Sequence, residues 1–137
     1  DLITSRIELL KNLGIEAFKV TEMCDSIKAD GVFMTSGSDK AIPTALKYVR
    51  DGGKILVFSS TPQNFGYANN EIYYRELTVL GSYSPSPADL KDSFELLKNK
   101  EVKVSGLSTE YNLENVQKAI NDTLDNKILK AYIKIAN

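Results

Sequence analysis

The sequence predicts an α/β fold built on parallel strands. Three observations carry that prediction. Val32-Phe33-Met34 is a continuous apolar run of the kind found in strands buried on both faces. Ile55-Leu56-Val57 is a second such run. Between them, Asp39 to Arg50 places Ile42, Ala45, Leu46 and Val49 on one helical face. Strand, helix and strand at this spacing form a crossover, which joins two parallel strands.

The other elements follow in order. Residues 4–13 read as a helix with Ile3, Ile7, Leu10 and Leu13 along its apolar side. Thr4 or Ser5 caps it, Glu8 completes a capping box, and Gly14 ends it. Ala17–Val20 reads as a short strand, and residues 21–29 as polar and irregular. Gly31–Thr35 is the first strand of the crossover, and Ser36-Gly37-Ser38 turns into its helix. Pro43 is tolerated there because it falls in the first turn. Asp51-Gly52-Gly53 breaks the helix and leads into a strand over Lys54–Phe58. Residues 59–68 form a loop rich in Ser, Pro, Asn and Gly. Asn69–Tyr74 is a short helix, and Glu76–Leu80 a strand closed by Gly81-Ser82.

Ser84-Pro85-Ser86-Pro87 marks a boundary, since each proline restricts the residue before it. Ser86 then caps a helix reaching Asn99, with Pro87 at its first position and Asp89 in its first turn. Residues 101–111 are extended. Asn112 caps a helix over 113–124, and Leu129–Ile135 is the last strand, with Ala131, Ile133 and Ile135 on one face.

Composition excludes several classes of function. The formal charge is -1, with Lys and Arg interspersed among acids, so no nucleic-acid partner is expected. No apolar run reaches the roughly 18 residues of a membrane span, and no signal peptide is evident. Cys24 is the sole cysteine, so no internal disulfide forms, and the cytosol is the expected location. Histidine is absent. A zinc site takes about four convergent ligands, which this chain does not supply. Cys24 reads as an ordinary semi-buried thiol. The start at Asp1 rather than Met points to a preceding segment.

The order of certain tracts resembles a known family. These are Asp1-Leu2-Ile3-Thr4-Ser5-Arg6 followed by a helix and Leu13-Gly14, Lys28-Ala29-Asp30-Gly31-Val32, and Ala45 through Ile55 with its Arg50-Asp51-Gly52-Gly53-Lys54 core. They continue with Glu76-Leu77-Thr78-Val79-Leu80-Gly81-Ser82 and Leu129-Lys130-Ala131-Tyr132-Ile133. Together they resemble the medium-chain dehydrogenase/reductase superfamily, and within it the zinc-dependent alcohol, sorbitol and threonine dehydrogenases. Lys28 stands where the family has glycine.

The resemblance implies a partial Rossmann sheet, doubly wound, over residues 1–83. It implies that 84–137 are the C-terminal segment of the GroES-like catalytic domain. It further implies a C-terminal fragment, without the glycine-rich turn and without the N-terminal zinc-binding domain, and so inactive alone. The complete protein would be an NAD-dependent zinc alcohol or polyol dehydrogenase and a homodimer or tetramer. Two alternatives stay open: a zinc-free quinone or enoyl reductase, and a non-catalytic nucleotide-binding module.

The resemblance also assigns candidate cofactor contacts, each with a plainer rival. Asp1 would accept hydrogen bonds from the adenosine ribose hydroxyls and repel a 2′-phosphate, which favours NAD over NADP; its rival is a solvated terminal residue. Arg6 would help at the ribose, or pair with Glu8 on the surface. Ser36, Gly37 and Ser38 would lie along the cofactor, or simply form a tight turn. Phe58, Ser59 and Ser60 would pass the nicotinamide ribose, or Phe58 is core. Ser82 and Tyr83 would approach the carboxamide, with Ser84 where many polyol-type members carry arginine. Tyr67, Ile72, Tyr73 and Tyr74 would serve a subunit interface or pack within the monomer. Lys130 matches a recurrent lysine or is solvated. No catalytic residue and no metal ligand is assigned within this chain.

Overall fold

The computed structural model describes residues 1–60, 66 and 68–135. The chain divides into two units, Asp1–Ser84 and Pro85–Asn137.

In the first unit the predicted crossover is present. Strand β1 (Ala29–Met34) leads through helix α2 (Ala41–Tyr48) to strand β2 (Val49–Val57), and the two strands are parallel. Helix α3 (Asn69–Tyr74) leads to strand β3 (Thr78–Gly81), parallel to β2 on its far side. The sheet order is β1-β2-β3. Helix α1 (Thr4–Asn12) precedes them.

Strand alternation decides the core. Val32, Ile55 and Val79 are neighbours across the three strands, as are Phe33, Leu56 and Leu80 one residue on. The first row faces α2. There Ile42, Ala45 and Val49 pack with Met34, Ile55 and Leu77, and Ile55 and Val49 have no exposed surface. The second row faces away, leaving Phe33 71% and Leu80 48% exposed. The expectation that strand 31–35 is buried on both faces is thus corrected: α2 covers one face only.

Where β2 begins, the sequence reading needs a second correction. The helix was expected to reach Arg50, yet Val49 already belongs to the strand. Ala29 sits opposite Val49, and Gly31 opposite Lys54, so residues 50–53 form a bulge. Gly52 takes φ +68°, a left-handed value that glycine adopts cheaply, and its N–H donates to Arg75 O at 2.8 Å.

Arg75 holds this corner. Its Nε donates to Asp51 Oδ1 at 2.7 Å. Its two terminal nitrogens donate to Leu46 O at 2.8 Å and Val49 O at 2.6 Å, and one also reaches Glu71 at 3.2 Å. It therefore satisfies carbonyls at the end of α2 that the helix cannot.

At α1, neither Thr4 nor Ser5 caps the helix. Ile3 is the cap residue and makes no side-chain bond. Asp1 Oδ1 instead accepts from the N–H groups of Leu2 at 2.6 Å and Ile3 at 2.9 Å. Gly14 ends the helix at φ +77°, with Gly14 N donating to Lys11 O and Ile15 N to Leu10 O, the paired bonds of a Schellman motif. The strand expected at Ala17–Val20 does not form. That segment has no paired neighbour among the described residues, and Val20–Glu22 is a 3₁₀ turn.

The second unit is another parallel pair. Helix α4 (Pro87–Lys98) starts at Ser86, and the predicted cap is complete: Asp89 N donates to Ser86 Oγ, and Ser86 N to Asp89 Oδ2. Strand β4 (Thr109–Asn112) passes through a 3₁₀ turn at Leu113–Asn115 into helix α5 (Val116–Leu124), then to strand β5 (Ala131–Lys134). β4 and β5 are parallel. Asn112 precedes the 3₁₀ turn without a side-chain cap bond. Asp122 accepts from Tyr111 Oη at 2.9 Å and pairs with Lys118 and Lys127, which joins α5 to β4. Among the described residues no helix is long and apolar enough to cross a membrane.

Three outcomes follow. Ile55→Ala empties a fully enclosed site and should cost about 3–4 kcal/mol in urea unfolding; a loss under about 1 kcal/mol would place Ile55 outside the core. Arg75→Ala strips the bulge of its clamp, and about 2–3 kcal/mol should disappear from the same measurement. The third concerns pH. Hydrogen bonds from Lys118 and then Tyr111 hold the Asp122 carboxyl below its ordinary range. A lowered folded-state value gives stability that is present above the ordinary carboxylate pKa and is lost as pH falls through the folded value. Asp122→Asn should therefore lower the thermal midpoint at neutral pH, with the gap closing in acid. A gap independent of pH would mean the ion pairs contribute nothing.

Candidate functional site

Parallel strands present their carboxyl ends along one edge, and ligands bind beyond that edge in open α/β sheets. Here Met34, Val57 and Gly81 are neighbours at the ends of β1, β2 and β3. The six candidates Ser36, Gly37, Phe58, Ser59, Ser82 and Tyr83 all lie directly after these residues. The structure thus gathers them at one edge, although the sequence separates them widely.

The edge is ordered by backbone bonds. Phe58 N donates to Met34 O, and Ser82 N to Val57 O, both at 3.0 Å. Each continues the ladder one residue past its strand. Ser36 Oγ accepts from Ser38 N, and Ser38 Oγ from Lys40 N, both at 3.3 Å, which shapes the turn into α2. At Gly37 the chain passes so close to the loop after β2 that a Cβ would stand 2.6 Å from Ser60 O. Only glycine fits. Ser60, a candidate from the sequence together with Phe58 and Ser59, contributes its backbone carbonyl to this approach.

Two side chains there stand out. Ser59 Oγ is shielded from solvent and has no hydrogen-bond partner among the described residues. A buried hydroxyl without a partner is costly. Phe58 is 60% exposed, which removes the reading of it as core, and Tyr83 is exposed as well.

Asp1 and Arg6 form a separate group at the start of α1. Arg6 Nη1 stands 3.9 Å from Asp1 Oδ2, and Asp1 N donates to Phe18 O at 3.1 Å. One carboxylate oxygen of Asp1 is engaged by the helix start, and the other faces Arg6.

The remaining candidates divide. Ile72 packs against the core, while Tyr73 and Tyr74 are both exposed and meet edge-on at 5.1 Å between ring centres. Tyr67 lies outside the described residues. Lys130 is exposed, and its carbonyl accepts from Thr109 N. Cys24 is exposed, not semi-buried as expected. Its Sγ lies 2.9 Å from Ser26 Oγ, and hydrogen bonding to Ser26 lowers its pKa. Among the described residues no three His, Cys, Asp or Glu side chains are grouped to hold a metal.

The chain is thus an α/β protein of two units, each with a small parallel sheet, and a glycine-narrowed edge in the first. Residues 1–99 match the family model described as zinc-binding dehydrogenase, and the chain belongs to that family. It is 24% identical to a zinc-type alcohol dehydrogenase-like protein of Haemophilus influenzae, over 98% of this chain and 42% of that one. It is 28% identical to a sorbitol dehydrogenase of Halalkalibacterium halodurans, over 83% of this chain and 34% of that one. Its fold matches benzyl alcohol dehydrogenase from Acinetobacter calcoaceticus with a TM-score of 0.85, at 22% identity, over 99% of this chain and 41% of that one. The chain thus spans less than half the length of these relatives.

The family match overturns one expectation. Residues 1–99 match the zinc-binding dehydrogenase model itself, so the reading of a fragment that lacks the family's zinc-type domain does not stand. The match runs from α1 through α4.

Gly37→Ala should force the turn after β1 away from Ser60, at about 1–3 kcal/mol. Chemical denaturation measures it, and an unchanged midpoint would mean the close approach relaxes freely.

Proposed function

We propose that this chain serves an NAD-dependent alcohol or polyol dehydrogenase, with the edge after β1, β2 and β3 holding the cofactor. On this reading residues 1–83 are the NAD-binding part, and residues 84–137 the C-terminal segment of the catalytic domain. The single observation that carries the proposal is the edge itself: Gly37 pressed against Ser60 O beside a buried Ser59 hydroxyl without a partner among the described residues. Kinship with the zinc-binding dehydrogenases supports it.

The residues present fit NAD. NAD supplies the acceptor for a hydride leaving the alcohol carbon. The chain's own groups bind and orient. Gly37 lets backbone approach closely where a Cβ would block. Ser59 Oγ offers a polar partner out of solvent. Asp1 places a carboxylate that would repel a 2′-phosphate, which selects NAD over NADP. The residues do not fit zinc, because the described residues group no three metal-ligating side chains. The role assigned to this chain is cofactor holding. The exposed Tyr73–Tyr74 pair supports a homo-oligomer built through α3.

NADH fluorescence titration tests the proposal. Saturable NADH binding is expected, weakened about tenfold or more, near 1.4 kcal/mol, by Gly37→Ala. Asp1→Ser should narrow the preference for NADH over NADPH. Tighter binding of NADPH by the unaltered chain would remove the role of Asp1. Failure of both dinucleotides to bind would remove the cofactor edge.

A further inference from the structure

The sequence contains two Asp-Gly bonds, Asp30–Gly31 and Asp51–Gly52. This dipeptide is the one most prone to rearrange, because glycine puts no side chain in the way of the attacking nitrogen. The glycine N loses its proton and attacks the aspartate Cγ. A C–N bond forms, the protonated carboxyl loses its hydroxyl, which leaves as water with the proton from nitrogen, and a five-membered succinimide results. Water then opens either carbonyl. One product is aspartate, and the other is isoaspartate, with the main chain running through Cγ. The sequence consumes and releases one water and needs no oxidant.

Each of these aspartates is gripped by an arginine through the same pair of atoms. Arg50 Nε donates to Asp30 Oδ1 at 2.6 Å, and Arg75 Nε to Asp51 Oδ1 at 2.7 Å. Both carboxylates are otherwise open to solvent, at 88% and 79% exposure. We propose that the β2 bulge is an aspartate-isomerisation site held unreacted by Arg75, with Asp30–Gly31 a dependent second site held by Arg50.

The geometry opposes each part of the reaction at Asp51. The attacking group is occupied, since Gly52 N–H donates to Arg75 O. The carboxylate is fixed by the guanidinium of the same residue. That guanidinium is itself anchored to Leu46 O, Val49 O and Glu71, so the grip does not depend on a free surface side chain. Arg50 has less support. It is anchored through Asp51, whose carbonyl accepts from Arg50 Nη1 at 2.8 Å. The two clamps are therefore in series. Isomerisation of Asp51 lengthens the main chain at that carbonyl, displaces the anchor of Arg50 and so loosens Asp30. Gly31 is otherwise protected by its place in β1 opposite Lys54.

The experiment is ageing of the purified chain in heavy-oxygen water at mildly acidic pH, where more of the reactive protonated carboxyl is present. Peptide mapping with a protease that cuts at aspartate but not at isoaspartate reads each site separately. Three samples are compared: folded wild type, wild type in urea, and Arg75→Lys. The folded wild type should isomerise slowly at both sites, and urea should speed both several-fold. Arg75→Lys keeps the charge but cannot reach all four acceptors. It should speed Asp51 several-fold first, with Asp30 following after a lag. Equal rates at Asp51 in the folded and urea-treated wild type would overturn the proposal, and that comparison decides even if the variant does not fold. A folded Arg75→Lys, verified by circular dichroism, that ages like wild type would overturn the role of Arg75. Simultaneous onset at both sites in that variant would overturn the series arrangement.

Discussion

The first unit turns on a single guanidinium. Arg75 follows α3, yet its guanidinium donates to Leu46 O of α2, Val49 O at the start of β2 and the side chain of Asp51, while its own carbonyl accepts from Gly52 N. Without it, α2 would end in unmet acceptors where the chain must turn at once into β2. Because the clamp fixes where β2 begins, it fixes which residues of β2 face α2. A one-residue slip would exchange Ile55 for Leu56 and turn the core row outward. The register in turn sets which residues follow the strand ends, and so which side chains line the edge.

Much of this architecture was legible in the sequence. Local chemistry announced α4: Ser86, Pro87 and Asp89 specify a helix start wherever they fall, and the capping box formed as read. The short helix Asn69–Tyr74 also formed over the expected residues. Elements whose ends depend on distant partners were less legible. Val49 is a good helix residue by pattern, but the β1 register and Arg75 assign it to the strand. Nothing near Val49 in the sequence mentions Arg75. Likewise Ala17–Val20 is apolar enough for a strand, but a strand exists only where another pairs with it.

The site was legible by position more than by chemistry. Ends of parallel strands are predictable once the strands are, so Ser36, Gly37, Phe58, Ser59, Ser82 and Tyr83 could be collected before any contact was seen. What could not be read was the quality of each contact. Phe58 gave no sign of being exposed, and Ser59 no sign that its hydroxyl would lack a partner among the described residues. From the sequence, Asp1 is a ribose ligand or a solvated end. Its use at the start of α1 was hidden because Thr4 and Ser5 looked like better caps. The fragment reading failed for another reason: counting ligand residues tests a site, whereas the family match covers residues 1–99 as a whole.

The parallel pairing within each unit also bears on how the chain acquires its structure. β1 meets β2, and β4 meets β5, across one short helical connection each. Closing so short a loop costs little chain entropy, and the helix inside it shortens the search further. Each half therefore holds the makings of its own nucleus. A ribosome releasing this chain would expose a complete β1-α2-β2 crossover before α4 had been made, and collapse of Ile42, Ala45 and Ile55 could begin while the second half was still being synthesised.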